Sequence, residues 1–288
     1  MLKRVFNLCV SLGVSSVDKL VETGGRLVGK KPRARCVVLA YHAVSPEERA
    51  RFSWQMDVLV KKAKPLPADV DQLPASSGRY AVVTFDDGLE NIIENALPEL
   101  RVRNIPATLF VVTDFFGRNR DWEHRGGDDT RHERVMTEDQ LKAIASDSIV
   151  VGSHSMTHPL MTKLSPEQLR GELLGSREKL EKILNRRVSL FSFPYGAFNA
   201  QAVAESRLAG YKRVFTALPV FACCTANEFE TGRVGTAPTD WPLEFRLKLA
   251  GAYRWLPFAY SLKKRIRGLL RSPGVKSIKT DSAEKRAA

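Results

Sequence analysis

The sequence predicts a parallel α/β fold, either an open sheet or a barrel. Short apolar runs of strand length alternate with helical segments along most of the chain, as in repeated strand–helix–strand units. Three of the helical segments begin with Ser or Thr followed three residues later by Glu or Gln, a combination that caps a helix start. Folds of this kind carry their chemistry at the carboxyl ends of the strands.

The predicted elements follow one another from residue 36 onward. The capping residues Ser45, Thr137 and Ser165 each mark a helix start, and proline follows Ser45 and Ser165 at the first helical position. Residues 117–135 are polar and contain glycine, which predicts an inserted loop. Two further helices are expected over 89–103 and 199–209. Strands are expected at 36–40, 80–83, 107–112, 149–151, 188–193 and 214–216.

Basic residues are concentrated at the two ends of this 288-residue chain, whose formal net charge is +13. Residues 1–35 contain eight Lys or Arg against two acids, and residues 261–288 contain nine against two, whereas the segment between them carries 28 of each sign. A neutral body argues against a nucleic-acid enzyme, which needs a basic working surface. Basic ends suit an anionic membrane surface, although solvated tails that only aid solubility explain them equally well.

The amino-terminal segment allows two interpretations. A basic flank before the mildly apolar stretch 5–17 resembles a weak signal peptide, but serines interrupt the stretch and no Ala-x-Ala site follows. We favour an interfacial helix, and hence a protein that is cytoplasmic or peripheral to a membrane. The apolar face of that helix would comprise Leu2, Phe6, Cys9, Val10, Leu12 and Val17.

These features divide the chain into three parts. Residues 1–35 form a basic amphipathic segment, residues 36–258 a single catalytic domain, and residues 259–288 a basic tail that we expect to be flexible. The four cysteines show no Cys-x-x-Cys spacing. They therefore indicate neither a disulfide framework nor a cysteine-rich zinc site.

Two adjacent carboxylates, Asp86 and Asp87, end the second predicted strand in the stretch Thr-Phe-Asp-Asp-Gly of residues 84–88. On its own, this stretch is best explained as a turn, because Asp tolerates and Gly readily adopts a positive φ. The alternative is a functional pair, which gains weight from residues further along the chain.

A histidine pair, His154 and His158, follows the fourth predicted strand in the same way. The spacing lets two imidazoles meet one divalent ion, although two satisfied or exposed histidines are the more common explanation. Two imidazoles and one carboxylate form a facial ligand set suited to a catalytic Zn²⁺ or a similar first-row ion. The second carboxylate would then be the base that takes a proton from an activated water.

Together, Thr-Phe-Asp-Asp-Gly, His-Ser-x-x-His and the Pro-Tyr-Gly of residues 194–196 resemble the motifs of the polysaccharide deacetylases (carbohydrate esterase family 4, the NodB homology domain). The resemblance covers residues 36–255 and implies a distorted (β/α) barrel that removes acetyl groups from N-acetylated sugars. It implies Asp86 as the general base and a main-chain N–H of Tyr195 as an oxyanion donor. It also implies that Asp87, His154 and His158 bind the metal, Zn²⁺ first, with Co²⁺, Ni²⁺ or Fe²⁺ as alternatives.

The sequence departs from the family pattern at three places. Many members carry Arg where this chain has Ser192, and the Asp that pairs with that Arg is absent around residues 214–216. No histidine follows His158, so the usual carboxyl-terminal general acid is missing as well. His42, in Tyr-His at the end of the first strand, is the substitute we predict. This arrangement resembles the exopolysaccharide subgroup, in which the motif is moved to the amino-terminal side; a hydrogen-bonded strand-end histidine is the alternative.

The resulting hypothesis is a metal-dependent hydrolase that removes N-acetyl groups from a glycan containing N-acetylhexosamine, with no nucleic-acid partner. Hydrolysis of another C–N bond, in a cyclic imide or a small amide, is a second possibility, and a catalytically weak glycan-binding protein is a third. Trp122, Trp241 and Trp255 either stack on sugar rings or pack in the core. A serine hydrolase is disfavoured because no Gly-x-Ser-x-Gly motif is present.

Overall fold

A computed structural model of the chain describes residues 1–122, 133–146, 148–223 and 225–262. Within these residues the centre is a sheet of nine strands, and every strand pair in it is parallel. The strands are β1 (Arg35–Tyr41), β2 (Lys64–Pro65), β3 (Arg79–Phe85), β4 (Ala107–Val111), β5 (Ile149–Ser153), β6 (Leu190–Ser192), β7 (Arg213–Phe215), β8 (Glu230–Thr231) and β9 (Val234–Gly235). The flanking helices are α1 (Leu2–Leu27), α2 (Arg49–Lys62), α3 (Asn91–Asn95), α4 (Leu97–Arg101), α5 (Glu138–Ile144), α6 (Pro166–Leu184), α7 (Ala200–Leu208) and α8 (Pro242–Leu249).

The sheet curls into a barrel. Its strands follow the order β8-β7-β6-β5-β4-β3-β1-β9, with β2 paired to β3 off this path. The edge strands β8 and β9 are separated in sequence only by Gly232 and Arg233. Because three residue steps span roughly 10 Å at most, the two edges face each other across a narrow seam. The predicted α/β distorted barrel is confirmed.

Alternate residues of the strands contribute to two apolar layers, as expected for strands covered on both faces. The outer layer packs against the helices in the largest buried cluster and includes Val37, Leu39, Val83, Phe85 and Val111. The inner layer fills the barrel and includes Val38, Val82, Phe110, Leu190 and Phe215.

The predicted helix over 89–103 is two short helices, α3 and α4, that meet at Ala96. Pro98 explains the break, since it has no N–H to donate to the carbonyl of Glu94 one turn earlier. Arg49 instead donates to that carbonyl from α2 at 3.3 Å. The capping boxes predicted at Thr137 and Ser165 are both present, with Gln140 and Gln168 as their partners.

The two chain ends differ in how much of them the structure describes. The amino-terminal segment forms α1, as predicted, and residues 256–262 are helical. The remainder of the predicted tail, residues 263–288, lies outside the described residues, as do residues 123–132 of the predicted insertion. Among the described helices, none combines the length and the apolar character needed to cross a membrane. The division at residues 35 and 258 stays a prediction.

Close packing of β5 on β4 gives a test of the barrel interior. A Cβ on Gly152 would lie 2.6 Å from the ring of the buried Phe110 and 3.0 Å from the carbonyl oxygen of Leu190. We expect Gly152→Ala to lower the free energy of unfolding by about 1–3 kcal/mol, measured by urea denaturation. The matched control is Gly171→Ala in α6, where a Cβ meets nothing within 4 Å. This control should stabilise the protein by up to about 1 kcal/mol; equal effects of the two variants would contradict the packing described.

Candidate active site

Neighbouring strands bring the predicted site residues to one edge of the barrel. β3, β4, β5 and β6 lie side by side in parallel, so their carboxyl ends share an edge. Asp86 and Asp87 follow β3, His154 follows β5, and Tyr195 comes shortly after β6. Ligand atoms of Asp87, His154 and His158 lie within 4.8 Å of one another, and all three residues are buried.

The turn after β3 aims Asp87 into this cluster. Asp87 and Gly88 both have left-handed backbones, with φ of 70° and 71°. Gly88 also packs against Val111, since a Cβ would lie 2.8 Å from a methyl group of that side chain. From the sequence, a turn and a functional pair were alternative explanations of this stretch. The structure shows that they are compatible, because the turn positions the two carboxylates.

The histidine pair lies on a loop rather than on a helix. Ser155 and His158 have left-handed backbones, with φ of 71° and 59°, so this segment cannot continue as a helix. The Oγ of Ser155 accepts a hydrogen bond from the His158 amide at 3.0 Å. From α6, the Glu172 carboxylate accepts hydrogen bonds from the amides of Met156 and Thr157 and from the Thr157 hydroxyl, at 2.6–3.0 Å. These bonds fix the loop that carries both imidazoles.

Both imidazoles are neutral near pH 7. Burial lowers the pKa of His154 and lowers the pKa of His158 to about 3. His154 Nδ1 lies 2.8 Å from the main-chain oxygen of Ser192, which assigns the proton to Nδ1 and leaves the Nε2 lone pair directed at the cluster. The same division of roles is typical of metal-binding histidines.

The donor set fits a small divalent cation. Asp87 Oδ1 lies 3.5 Å from His154 Nε2 and 3.4 Å from His158 Nε2. Two ligands that each lie about 2.0–2.1 Å from a tetrahedral ion are about 3.3 Å apart. Neither oxygen of the buried Asp87 carboxylate accepts a hydrogen bond from the described residues, although the Arg120 guanidinium lies 3.2 Å from Oδ2. A metal cation beside Oδ1 would add to Arg120 in offsetting the desolvation of this carboxylate.

Asp86 has different surroundings, which no local sequence pattern predicted. The guanidinium of Arg233 donates to both of its carboxylate oxygens at 2.7 Å, and also contacts Thr84 Oγ1 and Ser192 Oγ. Burial raises the pKa of Asp86, but Arg233, together with His154 and His42, holds this pKa well below its usual range. Position 192 is a serine, but a guanidinium still lies beside it. This guanidinium belongs to Arg233, which stands between β8 and β9.

Arg233 and a second buried arginine, Arg120, are the site residues that sequence reasoning missed. Arg120 lies 3.2 Å from Asp87 Oδ2 and 3.8 Å from Glu133. The only sequence signal for Arg233 was indirect. The chain keeps Asp86 but has Ser192 where many family members have Arg, so another residue must supply the cation. Arg120 falls within the predicted polar insertion, and no local pattern distinguished it.

His42 and Tyr195 border the cluster. His42 directly follows β1 and its side chain is exposed. Tyr41 pairs with Phe85, so His42 and the two aspartates follow neighbouring strand ends. Burial raises the pKa of Asp87, but the surrounding cationic groups, His42 first among them, hold it below its usual value. Tyr195 has a left-handed backbone with φ of 58°, and its ring meets the His158 ring edge-on at 4.5 Å.

The three tryptophans considered for sugar stacking make protein contacts. Trp122 is buried and stacks on the His158 ring, with centroids 4.7 Å apart. Trp241 lies under the guanidinium of Arg4, and Trp255 meets Phe6 edge-on. Trp122 therefore backs one of the cluster imidazoles, while the other two tryptophans contact α1.

Comparison with known proteins identifies the family. A sequence model described as polysaccharide deacetylase matches residues 74–214. This match, the curated relatives and the structural neighbours together support a NodB-type polysaccharide deacetylase. The resemblance seen in the motifs is thus confirmed at the level of the family. Polysaccharide deacetylases are hydrolases of N-acetyl amide bonds in N-acetylated glycans, so the prediction of an enzyme of this class is confirmed as well.

Individual relatives of this deacetylase are distant. YxkH of Bacillus subtilis, named as a candidate polysaccharide deacetylase, is 25% identical over 75% of this chain and 76% of its own length. The peptidoglycan-N-acetylmuramic acid deacetylase PdaA of Bacillus subtilis is 27% identical over 56% of this chain, which spans about half of PdaA (53%). The structure of IcaB from Ammonifex degensii superposes with a TM-score of 0.62 at 25% identity, covering 77% of this chain and 98% of that one. The Streptococcus pyogenes deacetylase PplD shares the fold, with a TM-score of 0.61 at 21% identity over 76% of this chain and 99% of its own.

Arg233 gives a test by relocation. We expect Arg233→Ser to lower the free energy of unfolding by about 3–5 kcal/mol, because it leaves Asp86 buried without a counterion, and to reduce deacetylase turnover. Adding Ser192→Arg should restore part of both, since it brings a guanidinium to the same carboxylate from the end of β6, where the Ser192 hydroxyl lies 3.4 Å from Asp86 Oδ2. Urea denaturation and acetate release measure the two effects. Failure of the double variant to exceed the single variant in either assay would contradict a role for the guanidinium itself.

Proposed function

We propose that this deacetylase removes N-acetyl groups from a glycan containing N-acetylglucosamine by using a divalent metal ion held by Asp87, His154 and His158. The observation that carries the proposal is the buried Asp87 carboxylate, whose Oδ1 faces the Nε2 atoms of two neutral imidazoles at 3.4 and 3.5 Å. Mixed nitrogen and oxygen donors of this kind favour Zn²⁺ and also suit Co²⁺, Ni²⁺ or Fe²⁺.

The bound ion would supply Lewis acidity, which activates water and polarises the amide carbonyl. The remaining work falls to side chains around it. Glu172, Ser155 and the carbonyl of Ser192 hold the imidazoles in place through the loop contacts described above. Trp122 covers one face of His158 and limits the access of bulk water to that ring.

Asp86 is the proposed general base. Arg233 holds it ionised at all pH values near neutrality, so the carboxylate is ready to accept a proton from the attacking water. The same pairing lowers its basicity, which means that Asp86 holds the proton only briefly. A second group must then deliver a proton to the departing amine.

His42 is the proposed source of that proton. It is exposed beside the buried carboxylates, where a glycan amine leaving the site would pass. The main-chain N–H of Tyr195 is the proposed donor to the carbonyl oxygen as negative charge develops on it. The left-handed Tyr195 and the following Gly196, with φ of 61°, make the tight turn that this donor would require.

The glycan class rests on relatives and on the position of His42. The chitooligosaccharide deacetylase of Rhizobium leguminosarum and a peptidoglycan-N-acetylglucosamine deacetylase of Bacillus cereus are among the matches, at 27% and 25% identity. Both names refer to glycans that contain N-acetylglucosamine. A general acid on the amino-terminal side favours an exopolysaccharide over peptidoglycan, as in the subgroup that the Tyr-His motif resembles.

The two aspartates should separate in their roles. We expect Asp87→Ala to lose both bound Zn²⁺ and acetate release, because it removes the carboxylate that both imidazoles face. Asp86→Asn should keep Zn²⁺ and lose about 10²–10⁴-fold in turnover. The control Asp139→Asn, whose side chain is 94% exposed, should match wild type. Metal content is measured by mass spectrometry and acetate by an enzymatic assay on chitin oligosaccharides.

Each competing result of these assays has a defined meaning. Near-normal turnover in Asp86→Asn would reject the assigned base, and retained Zn²⁺ in Asp87→Ala would reject the assigned ligand. A zinc-loaded wild type that cleaves a cyclic imide or small amide but releases no glycan acetate would favour the other C–N hydrolase. Glycan binding without any turnover would favour a binding protein.

Substrates that differ in their leaving group test His42. We expect His42→Gln to reduce acetate release from chitin oligosaccharides by about 10²–10³-fold, because an amine leaves only when protonated. Hydrolysis of 4-nitrophenyl acetate, whose phenolate departs without a proton, should change much less. Equal losses on the two substrates would contradict a general-acid role and would indicate that His42 instead positions the acetyl group.

A further inference from the structure

Helix α1 is attached to the barrel by Leu8 and Val14, which pack against the core, and by a series of ion pairs. Arg4 pairs with Glu244 at 2.6 Å, and Asp18 pairs with Arg254 at 2.6 Å. Near its end, Glu22 pairs with two arginines at the starts of β1 and β3, at 2.9 and 3.1 Å. These contacts occur along the whole length of the helix and fix its rotation about its own axis.

The outward face of α1 is apolar, the reverse of the usual arrangement for a surface helix. Ser11, a hydroxyl residue, is fully buried and accepts a hydrogen bond from Trp255. Leu2, Phe6 and Leu20 are 86%, 61% and 73% exposed. Other exposed apolar side chains on the helix are Val5, Leu12, Val17, Val21 and Leu27.

A second exposed apolar group extends this surface. Residues 256–262 are helical, and Phe258, Tyr260 and Leu262 are exposed there. Trp255, directly before them, packs edge-on against Phe6 of α1 at a centroid distance of 6.2 Å. We call the outward side of α1 together with these three residues the apolar face. Many exposed apolar side chains on two segments in contact indicate an interaction site.

The charges around the apolar face are of one sign. Both acids of α1, Asp18 and Glu22, point inward to arginines. Lys3, Lys19 and Arg26 are exposed along the helix. Lys30, Lys31 and Arg33 follow it and are also exposed.

The exposed apolar side chains and the cations around them together favour one class of partner. A second copy of the chain, packed apolar face to apolar face, would bring these cations together without acids to offset them. Anionic lipid headgroups neutralise them while the acyl region takes up the apolar side chains. We propose that the apolar face binds the surface of an anionic lipid bilayer, with α1 lying in the plane of the membrane–water interface.

Vesicle binding by the full-length protein tests this proposal. The chain should co-sediment with vesicles of phosphatidylcholine containing about one third phosphatidylglycerol, and its binding to pure phosphatidylcholine should be at least about tenfold weaker. Phe6→Ser combined with Leu20→Ser should weaken binding by about tenfold or more. Lys3→Glu combined with Lys19→Glu should do the same and should reduce the sensitivity of binding to added NaCl.

Matched controls separate the proposed surface from general stickiness. Val102→Ser combined with Leu208→Ser removes two apolar side chains that are 76% and 75% exposed elsewhere, and it should leave binding within about twofold. All variants should keep the same thermal unfolding midpoint as wild type. Equal binding to both vesicle types, or equal losses in the control, would overturn the proposal. A different result would also overturn it: wild type that forms a dimer in gel filtration and does not bind vesicles, with the Phe6 and Leu20 variant being monomeric. A second copy of the chain would then cover the apolar face.

Discussion

The ion pair between Arg233 and Asp86 is the interaction on which the rest of the site depends. It is buried, it uses both oxygens of the carboxylate, and its guanidinium lies 5.4 Å from the Phe110 ring inside the barrel. Breaking such a pair leaves a charge without compensation in a region of low polarity. The arginine stands between the two edge strands, so the same contact links the closure of the sheet to the state of its proposed base.

Asp86 and Asp87 are adjacent in sequence, but their carboxylates have different partners. Arg233, with help from Ser192, satisfies Asp86 entirely from within the protein. Asp87 has oxygens left over, although Arg120 lies near one of them. A left-handed residue followed by glycine sends the two side chains in different directions. Asp86 is therefore held by an arginine of the protein and is the proposed proton acceptor, whereas Asp87 can bind a metal cation.

Local sequence patterns predicted the parts of this structure that local forces determine. Apolar runs predicted most of the strands, and capping residues predicted helix starts at Thr137 and Ser165. Strand ends predicted that two histidines would meet a carboxylate, and the family resemblance indicated Asp87 as that carboxylate. The partner of Asp86 was beyond such reasoning, because Arg233 comes from 147 residues away along the chain. Which face of α1 would turn inward was equally inaccessible, since ion pairs with distant arginines decide it.

The seam between β8 and β9 also determines when the site can be assembled during synthesis. Asp86, Asp87 and both histidines precede Arg233 in the chain and are therefore synthesised before it. A fragment that ends before residue 233 would carry every residue of the recognised motifs but would lack the guanidinium that compensates the charge of Asp86.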